Sequence, residues 1–91
     1  MTEEYSYPID VDWTTEEIIV VVQFFETVEQ AFDQGVSSDI LNENYRRFKN
    51  VVPSKAEEKT IFREFKQSSG IEAYQAVKQL KEIEEEQTIK V

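Results

Sequence analysis

Thr14 is followed three residues later by Glu17, and directly behind that pair apolar side chains recur at helical spacing. The Thr14 hydroxyl can accept from the Glu17 backbone N–H while the Glu17 carboxylate reaches back to the Thr14 N–H, the reciprocal arrangement of a capping box. Trp13 before the cap and Ile18 behind it complete a hydrophobic staple. The β-branched run Ile18–Val22 would suit a strand on its own, but the cap and the downstream spacing decide for helix. Ile18, Val21, Val22, Phe25, Val28 and Phe32 share one face, and Val20, Phe24 and Ala31 widen it to an arc of roughly 200°. A helix apolar over so wide an arc is buried on more than one side, so this segment is predicted to be the central helix, closing near Gly35.

Three further helices follow from the same punctuation. Ser37 or Ser38 caps a second, with Leu41, Tyr45, Phe48 and Val52 in one stripe; it ends at Val52 because Pro53 disfavours helix in the residue before it. Ser54 and Glu57 form a second capping box, opening a third helix whose inward stripe is Ile61, Phe62 and Phe65 and which Gly70 stops. A fourth, from about Ile71 to Glu86, aligns Ala73, Ala76, Val77, Leu80 and Ile83. Ahead of them residues 1–13 read as an extended lead-in, since Pro8 biases Tyr7 away from helix, and residues 87–91 read as a frayed tail. The expectation is an all-α fold: a compact irregular array of four to five short helices in a single domain spanning 1–91.

Composition narrows the chemistry. The chain has 91 residues with neither Cys nor His, which removes disulfides, thiolate catalysis, the commonest general base and the commonest transition-metal ligand. No basic segment leads into an apolar run at the N-terminus, and the longest uninterrupted apolar stretch is the five residues Ile18–Val22, so the expectation is a cytoplasmic protein that does not span a membrane.

Charge is distributed unevenly within a net −9. Residues 1–45 hold eleven carboxylates and no Lys or Arg, whereas residues 46–66 carry seven basic against three acidic side chains, a local balance of +4. Two segments of opposite sign can neutralise each other by packing side by side, or can present a polar docking surface. The candidate interaction surface combines Tyr7, Asp10, Asp12 and Trp13 of the lead-in with the basic edge at Lys49, Lys55 and Lys59. Tyr5, Tyr7 and Trp13 lie off the helical stripes, where they either close one end of the core or anchor a partner.

Other constellations lead nowhere. Asp10, Asp12 and Thr14 alternate like the opening of a calcium loop, but Thr15 and Val21 stand where an EF-hand needs Gly and Glu. Glu16 with Glu17, and Glu57 with Glu58, are adjacent on helices and point about 100° apart, which suits first-turn stabilisation better than acid/base work on one substrate. Ser54 and Lys55 at a helix start lack a preceding glycine-rich loop, so a nucleotide phosphate site is not indicated. The aromatics among the basic residues of 46–66 fall on apolar stripes, and nineteen carboxylates oppose a phosphate backbone, so nucleic acid is disfavoured as a partner. No catalytic residue, cofactor site or metal site is assigned, and the expected role is a non-enzymatic protein-interaction or accessory module. A second copy of the chain is also a candidate to cover the surplus apolar arc of the first helix.

Several blocks carry a family resemblance: Tyr7-Pro8-Ile9-Asp10-Val11-Asp12-Trp13, then Thr14–Glu17, Phe24-Phe25, Phe48–Lys59 and Ser69-Gly70. In these the chain resembles the YktA-like proteins of Bacillus-type Gram-positive bacteria, uncharacterised protein family 0223, over nearly its whole length. The stretch Val51-Val52-Pro53-Ser54-Lys55-Ala56-Glu57-Glu58-Lys59 is the most specific part. The resemblance implies an irregular array of four or five helices and supplies no catalytic residue.

Overall fold

In a computed structural model that describes residues 7–91, four helices and one two-stranded ribbon surround a single apolar core. The helices are α1 (Thr15–Asp33), α2 (Ser38–Val51), α3 (Lys55–Ser69) and α4 (Ala73–Glu82); the strands are β1 (Val36–Ser37) and β2 (Thr88–Ile89). The arrangement is all-α apart from that ribbon.

The helix starts are where the caps put them. Thr14 accepts from the Glu17 N–H at 3.2 Å while the Glu17 carboxylate accepts from the Thr14 N–H at 2.9 Å. Ser37, rather than Ser38, caps α2, and Ser54 accepts from the Glu57 N–H at 3.3 Å at the start of α3. Among the described residues Glu57 does not return that bond, so only half of the second capping box forms. α3 ends on Gly70 at φ +79, and α1 gives way to Gly35 at φ +98. α2 ends at Val51, with Val52 as its C-cap in front of Pro53.

α1 is the central element. Val21, Phe24, Phe25, Val28 and Ala31 are fully buried, and α2 is its most extensive neighbour. Phe24 stacks on Phe48 of α2 at 4.6 Å between ring centres, and Phe25 meets Phe65 of α3 at 4.3 Å. Phe62 lies 5.9 Å from Phe24 and 5.8 Å from Phe48, so α3 is tied to the α1–α2 pair through rings. Such pairs add about 0.5–1.5 kcal/mol each beyond area burial. Thr27, buried on α1, donates to the Gln23 carbonyl and accepts from Asn44 of α2 at 2.9 Å, so its hydroxyl costs no unpaired polar group in the core.

Three expectations are corrected. The tail is ordered: β2 runs antiparallel to β1 with Val36 opposite Ile89 and Ser37 opposite Thr88, and Ile89 is fully buried. Further bonds from Ser38 N–H to the Gln87 carbonyl and from Val91 N–H to the Ala31 carbonyl hold it down. α4 stops at Glu82 instead of Glu86, where continuing would place Glu84, Glu85 and Glu86 at the negative end of the helix dipole. The lead-in is not extended throughout, because a turn closes with the Trp13 N–H donating to the Asp10 carbonyl at 3.1 Å. The expectations for residues 1–6, including Tyr5, lie outside the described residues. No described helix is long and apolar enough to cross a membrane.

Candidate functional site

The lead-in is fastened at its start. The Tyr7 ring stacks against Phe25 at 6.2 Å and Phe65 at 6.0 Å, and its hydroxyl donates to the Glu29 carboxylate. Pro8 then carries the chain away from the core, and the Asp10–Trp13 turn brings Trp13 back onto it. The Asp10 carboxylate is engaged in shaping that turn, accepting from the Asp12 N–H at 2.8 Å.

Between this arch and α3 lies an open cleft of about 520 Å³. One wall is Pro8, Ile9, Asp10, Val11 and Trp13; the other is Ala56, Glu57, Thr60, Ile61 and Glu64. The α3 wall follows from periodicity: Ala56, Thr60 and Glu64 are spaced i, i+4, i+8, with Glu57 and Ile61 as the adjoining row. Val11 is 95% exposed and Ile9 48%, an uncommon position for two aliphatic side chains beside an indole. The charged lining residues, Asp10, Glu57 and Glu64, are all acidic. One residue ahead of Ala56, Thr60 and Glu64 stand the cations Lys55, Lys59 and Arg63, all exposed and turned about 100° round the helix from that row.

The anticipated surface is thus divided. Asp10 and Trp13 line the cleft, Asp12 is exposed on the turn, and Lys55 and Lys59 stand on the neighbouring stripe. Tyr7 belongs to the core side of the arch. Lys49 does not belong to a free basic edge: its ammonium lies 2.9 Å from the carboxylate of Glu58, with side chains 24% and 10% exposed respectively. The other Glu58 oxygen accepts from the Tyr45 hydroxyl at 2.8 Å. Burial, and then that hydrogen bond, push the Tyr45 phenol well above its ordinary value. Buried charges need partners, and Lys49 and Tyr45 are those of Glu58.

Sequence reasoning missed Ile9, Val11, Ala56, Thr60, Ile61 and Glu64 as a unit. The spacing of the α3 residues was available, but nothing in it shows that the lead-in arches over that stripe.

The Thr60 hydroxyl donates to the Ala56 carbonyl, and Glu57 and Glu64 are separated by about 10 Å of helix rise, which suits contacts along a partner better than one reacting bond. Among the described residues no group of three or more Asp or Glu side chains converges as a metal site.

Comparison with known proteins finds relatives over nearly the whole chain. The model of the uncharacterised protein family UPF0223 matches residues 4–89. A UPF0223 protein of Lysinibacillus sphaericus is 56% identical over 88 residues, covering 97% of this chain and 93% of that protein. One from Bacillus pumilus is 50% identical over 88 residues, with 97% and 99% covered, and one from Staphylococcus aureus 49% over 86, with 94% of each covered. With a match this complete in both directions, the chain belongs to uncharacterised protein family UPF0223.

Proposed function

We propose that this protein is a cytoplasmic, non-catalytic interaction module that receives part of a partner protein in the cleft between the lead-in and α3. The observation that carries the reading is the pairing of exposed Val11 and Ile9 with Trp13 across from a helix face: apolar surface that is shaped and left uncovered is characteristic of a docking site. A protein is preferred to nucleic acid because three of the seven basic residues of 46–66 are paired within the chain and the charged side chains of the cleft lining are all carboxylates. Lys49 pairs with Glu58, Arg47 with Glu43 and Lys66 with Glu72, while the cleft itself is acidic.

The test is affinity capture from lysate of a Bacillus-type bacterium, read by quantitative mass spectrometry. Wild type is compared with Val11→Asp and Thr60→Arg, both at exposed positions and each checked for native circular dichroism. A protein retained by wild type and lost by both variants supports the reading. Identical recoveries with all three would place any interaction elsewhere.

A further inference from the structure

We infer that the cleft takes a partner segment in which one or two apolar side chains are flanked by Lys or Arg; this rests on the interaction reading above and names the partner's chemistry. Asp10, Glu57 and Glu64 alternate in the two walls with Ile9, Val11, Trp13, Ala56 and Ile61, and the lining contains no Lys or Arg. An apolar residue entering this space is desolvated against Trp13 and Ile61, while cations on either side of it meet carboxylates instead of water alone. A net charge of −9 adds a long-range field of the same sign, which draws in a cationic segment and turns away a phosphate-bearing one.

The basic stripe sets orientation. Lys55, Lys59 and Arg63 lie directly beside the acidic wall, so a segment that kept its cations toward the cleft and its carboxylates over the stripe is favoured, and the reversed placement brings like charges together at both rows. A second copy of this chain fits less well. Its Lys55–Arg63 stripe has the right charge, but the side chains exposed next to that stripe are Ala56 and Thr60 rather than a large apolar anchor, and two molecules of −9 repel.

The experiment is selection of random dodecapeptides displayed on phage against the full chain, with counter-selection on Thr60→Arg. Enriched peptides are then synthesised and titrated at about 50 mM and about 500 mM salt. The expected result is a consensus of aliphatic or aromatic residues flanked by Lys or Arg. Affinity should fall at least about fivefold on raising the salt, and by a similar factor in Glu64→Lys. Glu57→Gln, which avoids placing a cation in the first turn of α3, should give a smaller loss in the same direction. Enriched peptides with neutral or acidic flanks, lost by Thr60→Arg but kept by Glu64→Lys, would overturn the charge assignment while leaving the cleft as a docking site. No enrichment over Thr60→Arg would overturn both readings, as would salt-sensitive binding of a labelled single-stranded RNA in place of any peptide. A concentration-dependent doubling of solution mass, abolished by Glu64→Lys, would give the cleft to a second copy and overturn the basic-segment proposal.

Discussion

Lys49 reaches from α2 to Glu58 on α3 at 2.9 Å, and the same carboxylate accepts from Tyr45 one turn earlier on α2. One acidic side chain, 8% exposed as a residue, therefore clips two helices together beside the ring cluster of Phe24, Phe48 and Phe62. Replacing Glu58 with Ala leaves a phenol and an ammonium without their partner in a half-buried position. We expect a loss of about 2 kcal/mol in urea unfolding, and a smaller loss for Lys49→Ala, whose removal leaves the carboxylate one hydrogen bond. A Glu58→Ala midpoint equal to wild type would show the bridge to be screened by water.

Tyr45 gives a pH signature. Its folded-state proton is held more tightly than at the ordinary value of 10.0, because burial and the neighbouring Glu58 carboxylate oppose a phenolate. Its contribution to stability is therefore complete below about pH 10 and declines as pH rises beyond it, where the unfolded chain has released a proton that the folded chain still binds. Unfolding midpoints should fall between about pH 9 and about pH 11, and Tyr45→Phe should flatten that fall. Ultraviolet difference titration of wild type against Tyr45→Phe should place the Tyr45 transition above the ordinary value; a transition at that value would contradict the burial.

Ile89 is fully buried although it lies two residues from the C-terminus. Ile89→Ala is expected to cost about 2–5 kcal/mol, and to lower the melting temperature by about 10 °C or more in calorimetry of a chain this size. Removal of residues 87–91 should cost at least as much, since it also strips the β1 partner and the bonds at Ser38 and Ala31. An unchanged melting temperature after truncation would show that the tail is not part of the core in solution.

Gly35 and Gly70 both sit at positive φ, but their surroundings differ. A Cβ at Gly35 would meet Thr88 Cγ2 at 2.9 Å and the Ile89 carbonyl at 3.4 Å, whereas one at Gly70 would meet nothing within 4 Å. Gly70→Ala should cost about 1 kcal/mol from the left-handed backbone alone, and Gly35→Ala distinctly more. Equal losses would mean that β2 moves aside freely.

Tyr7 anchors the arch of the cleft. Tyr7→Phe keeps the stacking on Phe25 and Phe65 and loses the bond to Glu29, a change of about 1 kcal/mol. Tyr7→Ala removes the ring, and hydrogen exchange should show faster amide exchange at Trp13, whose N–H closes the Asp10 turn. Unaltered protection at Trp13 would mean that the turn holds without its anchor.

Most helix boundaries were legible because they are local events. A hydroxyl three residues before its N–H partner, a glycine where φ turns positive, and a proline that bars helix before it act within one turn of chain, and Thr14, Ser54, Gly70 and Pro53 behave accordingly. The apolar arc of α1 also identified the central helix, since an arc that wide has to be covered from several directions. The Ser54–Glu57 pair was legible only in part, because an N-cap hydroxyl has its N–H donor fixed by the helix itself, while the return bond needs a particular Glu rotamer.

What the sequence by itself determined is the set of helices, their inward stripes and a chain without Cys or His. What only the tertiary structure decided is which long-range pairs form. Thr88-Ile89 looked like a dangling end until β1, far upstream, supplied an edge, with Val36 opposite Ile89. Lys49 looked like a free cation until α3 folded back and placed Glu58 against it, and the row Ala56, Thr60, Glu64 became one wall of a cleft only when Tyr7 pinned the lead-in across the ends of Phe25 and Phe65. Periodicity reports which face of an element is apolar. It carries no information on which distant segment arrives to cover that face or to stop short of it, because that outcome depends on the summed packing of the whole core rather than on neighbouring residues.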